Sequence, residues 1–247
     1  MANWNDPRPT GTGFGASPSL SGAYGRGEVF DAGLRRHMLS IYNYMASGVL
    51  LSGIVALLSA TTGLTVALFG TPLIWLVMLS PLAFVMFMSF GANKFSATAL
   101  QGMFWGFAVA MGLSLSTIFL VYTGASIATT FFATAGAFAG LSLYGYTTKK
   151  DLTGMGSFLI MGVFGILIAS LLNIFLKSSG LAWAISFLGV LIFAGLTAYD
   201  TQKLKEQYAY VAGTDFAGKA VVLGALSLYL DFINMFQFLL QFMGDRR

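Results

Sequence analysis

Seven long apolar segments are the feature that most constrains this sequence. Each runs for roughly 18 to 25 residues between short polar breaks, and about 20 helical residues cross the roughly 30 Å hydrocarbon layer of a bilayer. The predicted spans are residues 38–61, 65–90, 98–122, 127–146, 155–176, 181–202 and 220–243. The pattern predicts an all-α membrane protein with seven transmembrane helices.

The composition supports this interpretation. Of the 247 residues, 57% are hydrophobic and only 9% are charged, whereas soluble domains carry about 25% charged residues. So few charges cannot cover a surface that faces water, and the chain therefore needs the lipid bilayer around it. The net charge of +4 does not indicate a nucleic-acid partner, because the Lys and Arg residues are scattered at the ends of the apolar segments.

The basic residues predict the orientation in the membrane, since Lys and Arg collect on the cytoplasmic side. With the N-terminus inside, ten of the 13 basic residues lie on the inner side: Arg8, Arg26, Arg35, Arg36, Lys94, Lys149, Lys150, Lys203, Lys205 and Lys219. Lys177, Arg246 and Arg247 lie outside. The N-terminus is therefore predicted to be cytoplasmic. A re-entrant seventh segment is an open alternative, because it would return the basic C-terminus to the inner side.

The first 37 residues are polar and rich in Gly, Pro and Ser. They contain no apolar run after an initial basic cluster, so no cleavable signal peptide is expected. We predict two regions, a flexible cytoplasmic tail over residues 1–37 and a seven-helix transmembrane domain over residues 38–247.

Small residues and prolines predict how the second to fourth spans pack. Small residues recur at intervals of four in the third and fourth spans: Gly102, Gly106, Ala110, Ser114, Gly136 and Gly140. Such spacing lets helix backbones approach each other closely. Pro72 and Pro81 lie in the second span, where the carbonyl groups that they leave free must find partners in neighbouring helices or water.

Two acidic residues are the ionisable groups that stand inside the predicted spans. Asp200 lies near the end of the sixth span and Asp231 in the middle of the seventh. A carboxylate at mid-membrane costs about 3 kcal/mol on insertion scales, so such residues usually face an internal cavity and serve a function. For Asp200 an interfacial position beside Lys203 and Lys205 is the alternative reading.

Polar residues form a stripe along each of the last two spans. At 100° per residue, one face of the seventh span carries Ser227, Asp231, Asn234, Gln237 and Gln241, and one face of the sixth carries Ser186, Gly189, Phe193, Thr197 and Asp200. The seventh helix is therefore expected to be central. Thr197, Ser227, Asn234, Gln237 and Gln241 are candidates for lining a pore. Hydrogen bonding between helices is the alternative role for the amides.

The two stripes would place Asp200 and Asp231 in the inner half of the membrane, one to two turns apart, so that contact needs tilt or a broken seventh helix. Two carboxylates in a low-dielectric site cannot easily both be charged. They either share a proton or ionise together with a cation, and such oxygen ligands suit Ca²⁺. We hypothesise a pH-sensitive cation site in which Asp200 and Asp231 bind Ca²⁺; no other cofactor is expected.

Three segments resemble the Bax inhibitor-1 family of membrane proteins, in its bacterial branch. They are GLRRHMLSIYNYMASGVL at 33–50, GLTAYDTQKLKEQY at 195–208 and ALSLYLDFINMFQFLLQFMG at 225–244. The resemblance implies six helices around a central C-terminal helix, in a bacterial inner membrane. It also implies a pH-sensitive calcium leak channel gated by two aspartates, which map onto Asp200 and Asp231. An arginine on the second helix holds one aspartate in some relatives, but residues 65–90 contain no basic residue.

Other functions remain as alternatives. The chain would be a non-conducting regulator if it bound a membrane protease or another membrane partner, a role that the resemblance also suggests. It would be a proton-coupled cation exchanger if the carboxylates carried protons as well as calcium. An enzyme is not expected. Hydrolysis inside the membrane would need a Ser–His pair or a metal motif such as HExxH, and the only histidine, His37, lies at the cytoplasmic edge of the first span.

Overall fold

The computed structural model describes the backbone of residues 20–247 and the side chains of residues 30–68 and 70–247. This range folds into nine helices: α1 (Leu20–Thr61), α2 (Leu64–Phe69), α3 (Leu73–Gly91), α4 (Ala97–Leu115), α5 (Ile118–Val121), α6 (Gly124–Thr147), α7 (Thr153–Leu176), α8 (Ser179–Val211) and α9 (Ala217–Met243). Seven helical segments within it are long and apolar enough to cross a membrane. The prediction of an all-α protein with seven transmembrane helices is confirmed.

The helix boundaries differ from the predicted spans at three places. α1 begins at Leu20, so residues 20–37 of the predicted tail are helical, while residues 1–19 of that tail lie outside the described residues. The second predicted span divides into α2 and α3, because Pro72 stands directly before α3 and cannot donate a backbone hydrogen bond. The third divides into α4 and α5 at Ser116, whose hydroxyl donates to the Leu113 carbonyl at 2.6 Å.

Hydroxyl side chains begin three of the long helices. Ser96 accepts from the Ala99 amide at 3.1 Å, Thr123 from the Ser126 amide at 3.3 Å and Ser178 from the Leu181 amide at 3.3 Å. Each bond satisfies one of the four backbone amides that the first turn of a helix leaves free. These caps fix the starts of α4, α6 and α8 at the ends of the bundle.

The C-terminal helix α9 lies at the centre of the bundle. It packs against α1, α3, α4, α6 and α8. In its most apolar stretch 61% of the residues are buried, compared with 11% in α7, which packs on α8 at the periphery. The central position predicted from the polar stripe and from the family resemblance is therefore observed.

α9 also runs the full length of the bundle. Near its start, the Lys219 ammonium donates to the Ala92 carbonyl at 3.2 Å, in the turn that joins α3 and α4. Beyond its end, Arg246 forms an antiparallel bridge with Tyr122, in the turn before α6 at the opposite end. An unbroken helix of 27 residues measures about 40 Å, more than a bilayer core. The alternative of a re-entrant seventh segment is wrong.

The proline in α3 is compensated by α4, as the sequence predicted. Pro81 has no N–H to donate to the Val77 carbonyl, four residues earlier. That carbonyl instead accepts from the Ser114 hydroxyl of α4 at 2.8 Å and from the Ser80 hydroxyl at 2.9 Å. Two side chains therefore replace one backbone hydrogen bond, and one of them joins the two helices.

The small residues predict close packing correctly at Gly106 of α4, but not at Gly102 of α4 or at the two glycines of α6. A Cβ atom on Gly106 would lie 3.0 Å from the Phe84 ring of α3, whereas one on Gly102, Gly136 or Gly140 would meet nothing within 4 Å. The prediction for Gly136 and Gly140 is wrong because α6 turns its opposite face toward the core. On that face Gly145 lies directly against the Ala198 backbone of α8.

Candidate functional site

The candidate site lies between α8 and α9, which form the most extensive helix pair of the described structure. The two helices run antiparallel, and small residues let them approach. A Cβ atom on Gly224 of α9 would lie 2.8 Å from the Leu204 side chain of α8. The pair carries Asp200 on α8 and Asp231 on α9, so both aspartates belong to one interface.

Asp231 is buried in the centre of the molecule. Its side chain is only 4% exposed, and buried apolar residues such as Leu228, Phe232 and Met235 surround it on α9. Its Oδ2 atom has no hydrogen-bond partner among the residues that the structure describes. A buried carboxyl oxygen without a partner is costly and rare, and it is the kind of atom that can accept a proton or bind a cation.

Asp200 is partly buried and lies close enough to Asp231 for the two carboxyl groups to interact electrostatically. The structure thus places the two predicted residues within electrostatic range of each other, and α9 is unbroken. Lys203, one turn further along α8, also interacts electrostatically with Asp200. Asp200 therefore stands between the buried aspartate and a basic side chain that is exposed.

The five candidates for lining a pore differ from one another in burial and in hydrogen-bond partners. Thr197 is fully buried and donates to the Phe193 carbonyl of its own helix at 2.8 Å, and the Asn234 amide donates to Leu230 in the same manner. Gln241 is exposed and accepts from Ser186 of α8 at 3.4 Å. Ser227 and Gln237 are half-buried. Bonds of this kind hold helices in place, and the pore-lining role of the five stays a prediction.

Two cavities in the structure lie away from the candidate site. They have volumes of about 690 and 310 Å³, lie between α1 and α6, and are lined by none of the seven predicted site residues. Among the residues described, no group of three or more His, Cys, Asp or Glu side chains is placed to hold a metal ion. A cation at the aspartate pair would thus take its other ligands from hydroxyl, carbonyl or water oxygens.

Three residues beside Asp200 fix the end of α8 that follows it, and sequence reasoning did not find the contacts of any of them. Thr201 is buried and donates to the Ser142 hydroxyl of α6 at 3.4 Å. Gln202 accepts from the Leu152 amide and donates to the Lys150 carbonyl, both at 2.8 Å. The Lys205 ammonium donates to the Tyr146 carbonyl at 2.8 Å.

These contacts tie α8 to the end of α6 and to the turn before α7. The signal in the sequence is a run of polar residues that continues past Asp200, but nothing in it indicates backbone partners some 50 residues away. The motif AYDTQK therefore combines one acidic residue at the site with neighbours that hold its helix in place.

A second missed contact secures α9 beside Asp231. The Ser52 hydroxyl of α1 lies 2.6 Å from the Ala108 carbonyl of α4 and 2.6 Å from the Tyr229 hydroxyl of α9. Because a carbonyl only accepts, Ser52 donates to Ala108 and Tyr229 donates to Ser52. This fully buried chain of bonds joins three helices two residues from Asp231.

Comparison with known proteins agrees with this architecture. The sequence model of the family described as "Inhibitor of apoptosis-promoting Bax1" matches residues 34–247. The chain belongs to the Bax inhibitor-1 family. The resemblance inferred from three short motifs is thus confirmed over nearly all of the described structure, and the chain is a multi-pass membrane protein.

Bacterial members of the Bax inhibitor-1 family are similar along most of their length. A protein of Caulobacter vibrioides is 49% identical, over 88% of this chain and 91% of its own. A protein of Rickettsia prowazekii is 46% identical, over 90% of this chain and 94% of its own. The inner membrane protein YbhL of Escherichia coli is 46% identical, over 87% of this chain and 94% of its own.

Proposed function

We propose that this chain forms a pH-sensitive leak channel for calcium across the bacterial inner membrane, gated by Asp200 and Asp231. The observation that carries the proposal is the buried Asp231, whose Oδ2 atom has no partner in the described structure and which lies beside a second carboxyl group. The location is supported by the seven apolar helices and by the relative that is named an inner membrane protein.

The closed state follows from the cost of charge in this interface. Two carboxylates at close range in a medium of low dielectric repel each other strongly. A proton on the pair removes one of the two charges and lets α8 and α9 pack as they do here. The closed state thus binds a proton that the open state releases, so lowering the pH favours closure and raising it favours opening.

The open state follows from the loss of that proton. The two charged carboxylates then repel each other and attract water and a cation. Carboxylate oxygens favour a hard cation such as Ca²⁺. Lys203 lies next to Asp200 on the exposed side, where it lessens the negative charge of the pair without entering the interface. A leak carries calcium down its own gradient and needs no other energy source. A proton-coupled exchanger, by contrast, needs an opposing proton gradient.

The test is calcium flux into liposomes that contain the purified protein, measured over a range of pH. We expect flux to rise with pH for the native chain and to become independent of pH for Asp231→Asn, because the amide can neither bind nor release the proton. Asp151→Asn is the matched control, since Asp151 lies in the exposed turn before α7, and it should retain the native profile.

Other outcomes would contradict the proposal in distinct ways. Identical pH profiles for the native chain and Asp231→Asn would reject the gating role of the pair. Flux that requires an opposing proton gradient would indicate an exchanger. If the purified protein alone gives no calcium flux, and flux appears only when a membrane protease is purified with it, the result would indicate a regulator.

A further inference from the structure

A deep crevice opens on the side of the bundle between α1 and α6. These two helices scarcely touch within the described residues, and the space between them has a volume of about 690 Å³. Its walls are apolar side chains such as Met45 and Val49 on α1 and Ala139 on α6, and Phe232 of α9 forms its floor. The smaller cavity of about 310 Å³ continues the same seam and shares Val49 and Phe131 with it.

One end of the crevice is polar and positively charged. Arg35 lines it there, close to Tyr146 at the end of α6. Arg35 is exposed. Lys149 and Lys150 follow directly after α6, and Lys205 donates to the Tyr146 carbonyl, so this is the end at which most basic residues of the chain collect. The mouth of the crevice therefore attracts negative charge.

The dimensions match one leaflet of a bilayer. The crevice follows α1 from Met38 to Leu50, a rise of about 18 Å at 1.5 Å per residue. Half of the hydrocarbon layer is about 15 Å thick. An apolar groove of this length, with a cation at the level of the headgroups, has the shape and the charge of a phospholipid.

We propose that this crevice binds one anionic phospholipid, with an acyl chain between α1 and α6 and the phosphate bound by Arg35. The apolar walls accommodate an acyl chain, and the positive mouth selects an anionic headgroup.

The first test compares headgroups. The detergent-purified protein is titrated with phosphatidylglycerol or with phosphatidylcholine of the same acyl chains, and bound lipid is counted by native mass spectrometry. We expect one phosphatidylglycerol bound in preference to phosphatidylcholine, and a roughly fivefold weaker preference in Arg35→Gln, since one surface cation contributes about 1 kcal/mol to anionic lipid binding.

The matched control is Arg36→Gln. Arg36 is exposed like its neighbour but is absent from the crevice walls, so its loss should leave the preference unchanged. Equal effects of the two substitutions, or equal binding of the two lipids by the native chain, would overturn the assignment of the phosphate to Arg35.

The second test fills the crevice. Ala139 lines it, and Ala137 is equally exposed on the adjacent surface of α6 but does not. Ala139→Trp should abolish the tightly bound lipid, while Ala137→Trp should retain it. Both substitutions lie on an exposed face, so the helical circular dichroism spectrum and a single elution peak should be unchanged. Lipid that remains bound to a folded Ala139→Trp protein would overturn the proposal, and a lipid-free dimer of the native chain would do the same.

Discussion

Asp231 occupies a position where an acidic side chain costs free energy. Many other polar side chains inside the bundle find partners, as Thr197 does on its own helix and as Ser52 and Tyr229 do with each other. The neutral hydroxyl of Thr65 is a second buried group without a partner among the described residues. Asp231 leaves one oxygen unbonded within the described structure, although a Leu would fill a similar volume. A residue that opposes stability in this manner is better explained by function than by packing.

This difference predicts the effect of Asp231→Leu on stability. Removing a buried, unpaired polar group should stabilise the fold by about 1–3 kcal/mol, measured as a higher midpoint of thermal unfolding in detergent. Asp151→Leu should give no such gain, because Asp151 accepts from the Thr153 amide at 2.8 Å and that bond would be lost. A lower midpoint for Asp231→Leu would mean that Asp231 has a stabilising partner.

The sequence was sufficient to find the two aspartates and insufficient to find what surrounds them. Asp200 and Asp231 stand out because no other acidic residue lies inside the apolar segments. Their proximity depends on helix tilt and on the approach of α8 to α9 at Gly224, neither of which periodicity reports. The partners of Gln202 are backbone groups, and the Ser52–Tyr229 contact joins residues from opposite ends of the chain.

At the scale of helices, one carbonyl group of α3 depends on a hydrogen bond from α4. The Val77 carbonyl loses its backbone donor to Pro81 and accepts from Ser114 instead. Hydropathy identified both spans, yet it could not locate the breaks before α3 and after α4, because short turns inside an apolar run remain apolar. It also could not show which face of α6 meets the core, since small residues are equally compatible with lipid.

A double-mutant cycle tests this dependence. Ser114→Ala should lower stability by about 1 kcal/mol in the native chain, with Ser80 retaining part of the compensation. In a Pro81→Ala background the residue at 81 can donate to Val77, so the same substitution should cost clearly less. Equal costs in both backgrounds, measured by unfolding in mixed micelles, would show that Ser114 acts through some other contact.

For the whole molecule, the orientation follows from the ends at which the charges lie. Most of the basic residues flank the end where α6 ends and α9 begins, and Lys177, Arg246 and Arg247 flank the other. The bridge between Arg246 and Tyr122 fixes the C-terminus at this second end, against the usual charge rule. The many residues at the first end outweigh the three at the second, so the N-terminus is predicted to be cytoplasmic.

Single cysteines test this orientation, because the chain contains none. In intact cells an impermeant maleimide should label Lys177→Cys and Arg247→Cys from outside. Lys149→Cys should react only after the membrane is opened. Labelling of Arg247→Cys and Lys149→Cys from the same side would contradict a spanning α9.

In the proposed mechanism, a proton on the buried acidic pair removes the charge repulsion that would otherwise separate α8 from α9. Experimental structures in lipid at an acidic and an alkaline pH measure it most directly, through the separation of the Asp200 and Asp231 carboxyl groups. We expect adjacent carboxyl groups and closed helices at acidic pH, and separated carboxyl groups with a hydrated path between them at alkaline pH. The same separation at both pH values, or either side chain turned toward lipid, would contradict it.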